Sequence, residues 1–215
     1  MCQFKSVIIL KDRVYIASHD SHQEMLAELG VEDTQENAER VFVRAELVPA
    51  DGDKFSEPET WNFKVDQDII PEWFVEEFDK QRTIEGVKEW MKGHVFAGEN
   101  NIKLEVKGNS KEVYYFKDCK GIEIKICDTS SAKVVTRDTS SAKVVTRDTS
   151  SAEVVTRNTS SVEVVTCDTS FVYNMGNRPI DFSVFEDSVF KDNSTKMIYY
   201  THKWNTKQVS EQEGK

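Results

Sequence analysis

Between residues 128 and 167 small, apolar and polar positions recur with a fixed period, as DTSSAKVVTR, DTSSAKVVTR, DTSSAEVVTR and NTSSVEVVTC. Val-Val-Thr favours an extended strand, whereas Asp-Thr-Ser favours a turn. A strand and turn repeated at so short a period predicts a β-solenoid. Alternation sets the faces. Lys133 and its equivalents must point out, because a narrow interior has no partner for a charge. Ala132, Val134, Ser130 and Thr136 then point in, and Val135 lies outside or at a corner.

One turn of the solenoid holds ten or twenty residues. Stacked strands lie about 4.8 Å apart, so equivalent residues form ladders. With ten, Lys133 stacks on Lys143 and Glu153 on Glu163. With twenty, Lys133 meets Glu153 and Lys143 meets Glu163. Opposite charges on neighbouring strands are favourable, so these four residues favour two repeats per coil, although Arg137 then stacks on Arg157. The strand-like alternation begins at Asn101. After Ser170 it gives way to an aromatic, less regular stretch that suits a cap. The expected divisions are an α+β domain at 1–98, a solenoid at 99–175, a cap at 176–207 and a polar tail at 208–215.

The first part of the chain reads differently. FKSVIIL and RVYIA predict a hairpin. SHQEMLAELG predicts a helix with Ser21 as N-cap and Gly30 as its stop, and a second short helix begins at Asp33. RVFVRAELVPA and TWNFKVDQD are strands joined by the acidic turn DGDKFSEPE. From Pro71 onward Phe74, Phe78, Ile84, Val87 and Met91 form the stripe of an amphipathic helix. The predicted domain is a small α+β fold with helices on one side of its sheet.

Charge separates the two parts. Residues 1–98 hold 11 Lys or Arg against 21 Asp or Glu, while residues 99–215 hold 17 of each. Neither part is basic, which argues against nucleic-acid binding. No apolar run approaches the length of a membrane helix, and Val7–Leu10 is too short for a signal-peptide core. These features read as a cytoplasmic protein with no membrane association. Its four cysteines would then be reduced thiols, and they lack zinc-site spacing.

The segments MCQFKSVIILKDRV, DSHQEMLAELGVEDTQENA, FVRAELVPADGDKFS and VDQDIIPEWF resemble the start of uncharacterised proteins from gut Firmicutes and their phages. In those proteins a similar start also precedes short β-solenoid repeats and a closing segment. The resemblance implies a phage or mobile-element setting in a bacterial cell. It implies no activity.

Candidate chemistry centres on Cys2. Removal of Met1 would expose an N-terminal thiol and amine, as used by N-terminal-nucleophile amidohydrolases and by abasic-site crosslinking proteins. His19, Asp20 and His22 would move protons, and Glu46 or Asp66 would orient them. The competing reading makes Cys2 a small residue leading the first strand and HDSH a capping loop. The Asp-rich turns 51–53 and 65–68, and the Asp column 128–168, read as solvated or capped turns rather than cation sites. Trp61, Trp73 and Trp204 mark a partner surface, with core packing the competing reading for the first two. The leading expectation is a non-catalytic interaction or scaffold protein without cofactor or metal. Its partner is a protein, or a second copy joined through an uncapped face of the solenoid. The alternative is an enzyme built on Cys2.

Overall fold

The computed structural model describes residues 5–48, 57–202 and 205–210. The acidic turn around residue 51, Cys2 and Trp204 lie outside them. The chain divides into two units, one ending at Gly93 and one beginning at His94.

The first unit is built on an antiparallel sheet. Its strands β1 (Lys5–Leu10), β2 (Val14–Tyr15), β3 (Phe42–Val48) and β4 (Asn62–Val65) stand in the order β2-β1-β3-β4. Helix α1 (His22–Glu28) is capped by the Ser21 hydroxyl, which accepts from the Glu24 N–H, and Gly30 follows at φ 68°. Helix α2 (Gln35–Arg40) is capped by Thr34, one residue beyond the predicted start. Met25, Leu26 and Ala38 of these helices pack with Ile8 and Phe42, on one face of the sheet.

The opposite face is covered as well. Helix α3 (Glu76–His94) meets it through Trp90, whose ring lies under the Lys5 ammonium, and through Gly86, which approaches Val14 and Ile16. The prediction of one covered face is therefore corrected. β1 is buried from Lys5 to Ile9 because helices flank it on both sides. Ile84, Val87 and Met91 of the predicted α3 stripe are buried, but its start is corrected, because Asp79 rather than Phe78 takes the buried position there. Asp79, Thr83, Val87 and Met91 take the buried positions, four residues apart, with Ile84 beside them. The Asp79 carboxylate accepts from the Val75 N–H at 2.9 Å and pairs with Arg82 at 2.9 Å, so its burial is compensated. Phe78 consequently faces solvent, and Phe74 precedes the helix.

The second unit is a β-solenoid of about five turns, running from residue 95 to 192. One sheet holds β5 (Val95–Ala97), β7 (Lys111–Lys117), β9 (Ser131–Arg137), β11 (Ser151–Thr156), β13 (Phe171–Asn174) and β15 (Val189–Asp192). The other holds β6 (Lys103–Val106), β8 (Ile122–Ile126), β10 (Ser141–Thr146), β12 (Ser161–Thr166) and β14 (Asp181–Val184). All these neighbours are parallel. Lys133 pairs with Glu153 and Lys143 with Glu163, so the coil holds twenty residues. The last coil is two residues shorter, pairing Glu163 with Asp181 and Phe171 with Val189. The solenoid starts a few residues before the predicted 99 and continues past 175. Its closing element is an antiparallel hairpin of β16 (Met197–His202) and β17 (Asn205–Ser210), which extends the first sheet from β15. Residues 208–210, expected in the tail, belong to β17.

Ala132, Val134, Ser130 and Thr136 are buried as predicted. Val135 is buried too, in register between Tyr115 and Val155, whereas Val145 and Val165 on the other sheet are half-buried. Large rings fill the two ends of the interior. Phe96 stacks on Phe116 at 5.3 Å, and Phe182 packs between Phe190 and Tyr199.

Hydroxyl columns run beside the apolar interior. Thr136 bonds Ser160 at 3.1 Å, Thr146 bonds Ser170 at 2.9 Å and Thr166 bonds Ser188 at 2.8 Å. Thr156 is the exception. The next corner, residues 176–180, reads Gly-Asn-Arg-Pro-Ile and has no serine, so the Thr156 hydroxyl is buried without a partner. A buried unsatisfied hydroxyl is unfavourable, whereas removing one partner of a satisfied pair costs about 1 kcal/mol or more. In thermal or denaturant unfolding, Thr156→Val should be neutral or stabilising and Thr146→Val destabilising by about 1 kcal/mol.

The register also restricts length. Deleting residues 131–150 removes one whole coil and joins Ser130 to Ser151 in phase. Deleting 141–150 alone moves every later strand to the other sheet and puts the hairpin on the wrong edge. The first deletion should retain a cooperative melt by circular dichroism, and the second should lose it.

Candidate functional site

The repeat builds its corners before its faces. Asp128, Asp138, Asp148, Asn158 and Asp168 all adopt left-handed backbone conformations, with φ between 55° and 60°. Asp and Asn tolerate that region better than other side-chain-bearing residues. Gly108, with φ 76°, takes the same place one coil earlier. Along this corner each carboxylate turns to the backbone of the preceding coil. Asp128 accepts from the Gly108 N–H at 2.9 Å, Asp148 from Asp128 at 3.0 Å, Asp168 from Asp148 at 2.9 Å, and Glu186 from Asp168 at 3.0 Å. The N–H of Asp148 holds the Asp168 carboxyl below its usual range, while the neighbouring Asp168 raises Glu186. At this corner Thr129, Thr149 and Thr169 bond carbonyls of the preceding coil, Thr149 that of Asp128 at 3.0 Å, whereas at the other corner Thr139 bonds the Asp118 carboxylate at 2.9 Å. Here the carboxylates are occupied by backbone donors, the arrangement of a capped turn. Among the described residues no group of three or more His, Cys, Asp or Glu is placed to hold a metal ion.

The charged row lies on the two outer faces. Lys143 Nζ is 2.8 Å from Glu163, and Lys133 Nζ is 3.7 Å from Glu153. These ends are partly solvated, so each pair contributes about 0–1 kcal/mol and less in high salt. Cys127 and Cys167 occupy one column, separated by Arg147 in the coil between them, and burial raises both thiols. Two coils span about 10 Å, beyond disulfide reach.

The histidines of the first unit are fixed in place. Nδ1 of His19 accepts from the Ser21 N–H at 3.3 Å, which leaves Nε2–H to donate to Glu28 at 3.1 Å. The Tyr15 hydroxyl donates to the same carboxylate at 2.7 Å. Nε2 of His22 donates to the Ala45 carbonyl at 3.1 Å, and its Nδ1 lies 3.5 Å from Asp66. His19 thus ties the loop before α1 to that helix, and His22 ties α1 to β3. Of the two proposed orienting groups, Asp66 does meet His22. Glu46 instead lies 3.8 Å from Lys64, its partner in register across β3 and β4.

Lys5, Tyr15 and Glu28 were not anticipated. Lys5 is buried, 2.9 Å from Asp20, 3.2 Å from the His19 carbonyl and 4.4 Å from the centre of Trp90. Burial pushes its ammonium down, against the opposite pull of Asp20. A lysine opening a strand ordinarily reads as exposed, and only the helix over this face reverses that. The tryptophan expectation is corrected in part. Trp61 is only 5% exposed and belongs to the core, and Trp73 is half-buried with its indole N–H on the Arg40 carbonyl at 2.7 Å.

Among the described residues no helix is long and apolar enough to cross a membrane. Compared with known proteins, the chain matches no family model, no curated protein and no solved structure.

The outer charges generate a direct test. Glu153→Lys should lower stability by no more than about 1 kcal/mol, and adding Lys133→Glu should restore it, with both effects shrinking in salt. Unfolding of the two single variants and the double variant checks it.

Proposed function

We propose that the chain is a non-catalytic interaction protein. Its solenoid acts as a rigid platform or dimerisation element, and its acidic first unit supplies specificity. The observation carrying this reading is the use of polar groups inside the solenoid. Corner carboxylates, threonines and buried serines bond the backbone or hydroxyls of the adjoining coil. That favours a stiff body of defined length over a reaction site. Of the histidines invoked for the Cys2 enzyme, His19 is bonded at both nitrogens and His22 through Nε2, which weakens the catalytic alternative. A cytoplasmic location, read from the lack of long apolar runs, and a phage or mobile-element setting, implied by a resemblance over nearly the whole chain, belong with the same proposal.

Affinity capture with the full chain in producing or infected cells tests the reading, using native protein and a Cys2→Ala variant. The expected result is a specific protein partner, and a cellular phenotype, retained by both. Loss of the phenotype in Cys2→Ala with an unchanged melting temperature would instead establish the enzyme reading.

A further inference from the structure

Building on that interaction reading, we propose that the segment from Asp68 to Phe78, together with Val41, is a docking surface. Its occupant is a Lys- and Arg-rich polypeptide segment carrying apolar anchors.

Exposed large apolar residues are concentrated here. Among the described residues they are Val41, Ile69, Ile70, Val75, Phe78, Phe171 and Phe185, and four of these seven lie between positions 69 and 78. Val75 is 57% exposed and Phe78 61%. Val41 is brought to the same region by two anchors. The Trp73 indole N–H bonds the Arg40 carbonyl, and the Gln67 amide donates to the carbonyls of Phe42 at 3.3 Å and Ile69 at 2.6 Å. Exposed apolar side chains grouped in this way mark interaction sites more often than isolated ones do.

The exposure is built in. Asp79 fixes the phase of α3 by accepting from Val75 and pairing with Arg82, and that phase turns Phe78 outward. Buried Pro71 and the edge-to-face pair of Trp73 and Phe74, 6.5 Å apart, hold the segment before the helix. An apolar surface already held in shape loses less conformational freedom on binding.

The charges identify the occupant. Residues 65–79, VDQDIIPEWFVEEFD, contain six carboxylates and no Lys or Arg. Asp66 and Asp79 have internal partners. Asp68, Glu72, Glu76 and Glu77 are exposed and enter no ion pair among the described residues. A ligand covering Val75 and Phe78 therefore sets its rim against unpaired carboxylates. A basic rim is favoured there, and an acidic protein, a nucleic acid or an anionic lipid surface is repelled.

Fluorescence anisotropy with the full chain tests the proposal, using a labelled synthetic amphipathic peptide of leucine and lysine. Saturable binding should weaken roughly 30-fold or more in Val75→Ser/Phe78→Ser. It should also weaken, with a flatter salt dependence, in Glu72→Gln/Glu76→Gln/Glu77→Gln. All changed side chains face solvent, so circular dichroism should match the native chain, with only a small loss of stability from the first-turn carboxylates Glu76 and Glu77 and from the Arg82 contact of Phe78. Absence of binding, equal binding of a leucine–glutamate peptide, or binding undiminished by Val75→Ser/Phe78→Ser would overturn the proposal. Sedimentation showing that Val75 and Phe78 hold two copies together would also overturn it, by replacing the occupant. If a cellular partner is captured equally by native chain and Val75→Ser/Phe78→Ser, the interaction reading stands and this surface is removed from it.

Discussion

In-register stacking of parallel coils is the constraint on which the second unit depends. Each position meets its equivalent about 4.8 Å away, so a side chain is acceptable only if it tolerates its own kind as a neighbour. Valine and alanine meet this by packing. Serine and threonine meet it because a hydroxyl both donates and accepts, so a column of them can be self-satisfying. Aspartate meets it at one corner by turning its carboxylate to the preceding coil's N–H instead of to the neighbouring carboxylate. Lysine and glutamate meet it only by alternating every twenty residues, as Lys133 with Glu153 and Lys143 with Glu163 do.

The ends obey a different condition, since a coil there has one neighbour. Aromatic rings replace alanine and valine at both ends of the interior, and the β16–β17 hairpin covers the last strand of one sheet. The buried, unpartnered Thr156 hydroxyl lies where the regular columns meet the corner at residues 176–180. There Arg178 bonds the Asn158 carbonyl and the Asn174 side chain bonds the Arg178 carbonyl, in place of the serine bridge used elsewhere.

Sequence pattern read the solenoid further than the first unit, for a physical reason. A repeat shows the same choice several times, so Ala132, Val134 and Lys133 each declare a face, and the charge difference between copies declares the coil length. The first unit makes each choice once. Its hairpin, the Ser21 cap and the Gly30 stop were legible because capping chemistry is local. The second helical cover was not, because β1 reads as the same apolar run whether one or both faces are buried. On α3 the pattern placed Ile84, Val87 and Met91 correctly but took Phe78 as core where Asp79 is buried instead. The buried Asp79 is explained only by its bonds to Val75 and Arg82. The solenoid boundaries were likewise displaced because the last coil departs from the repeat while keeping its pairing.

The proposed role as a platform rests on this register, since stiffness and quantised length both follow from it. Disulfide trapping measures the register directly, in a chain whose native cysteines are replaced. Paired cysteines at Ser131 and Ser151 occupy in-register positions of β9 and β11, about 4.8 Å apart and within disulfide range. Cysteines at Ser131 and Ser141 begin strands of different sheets. Mild oxidation should crosslink the first pair within the chain and leave the second as free thiols. Crosslinking of 131 to 141, with 131 and 151 remaining free, would mean a ten-residue coil and contradict the account.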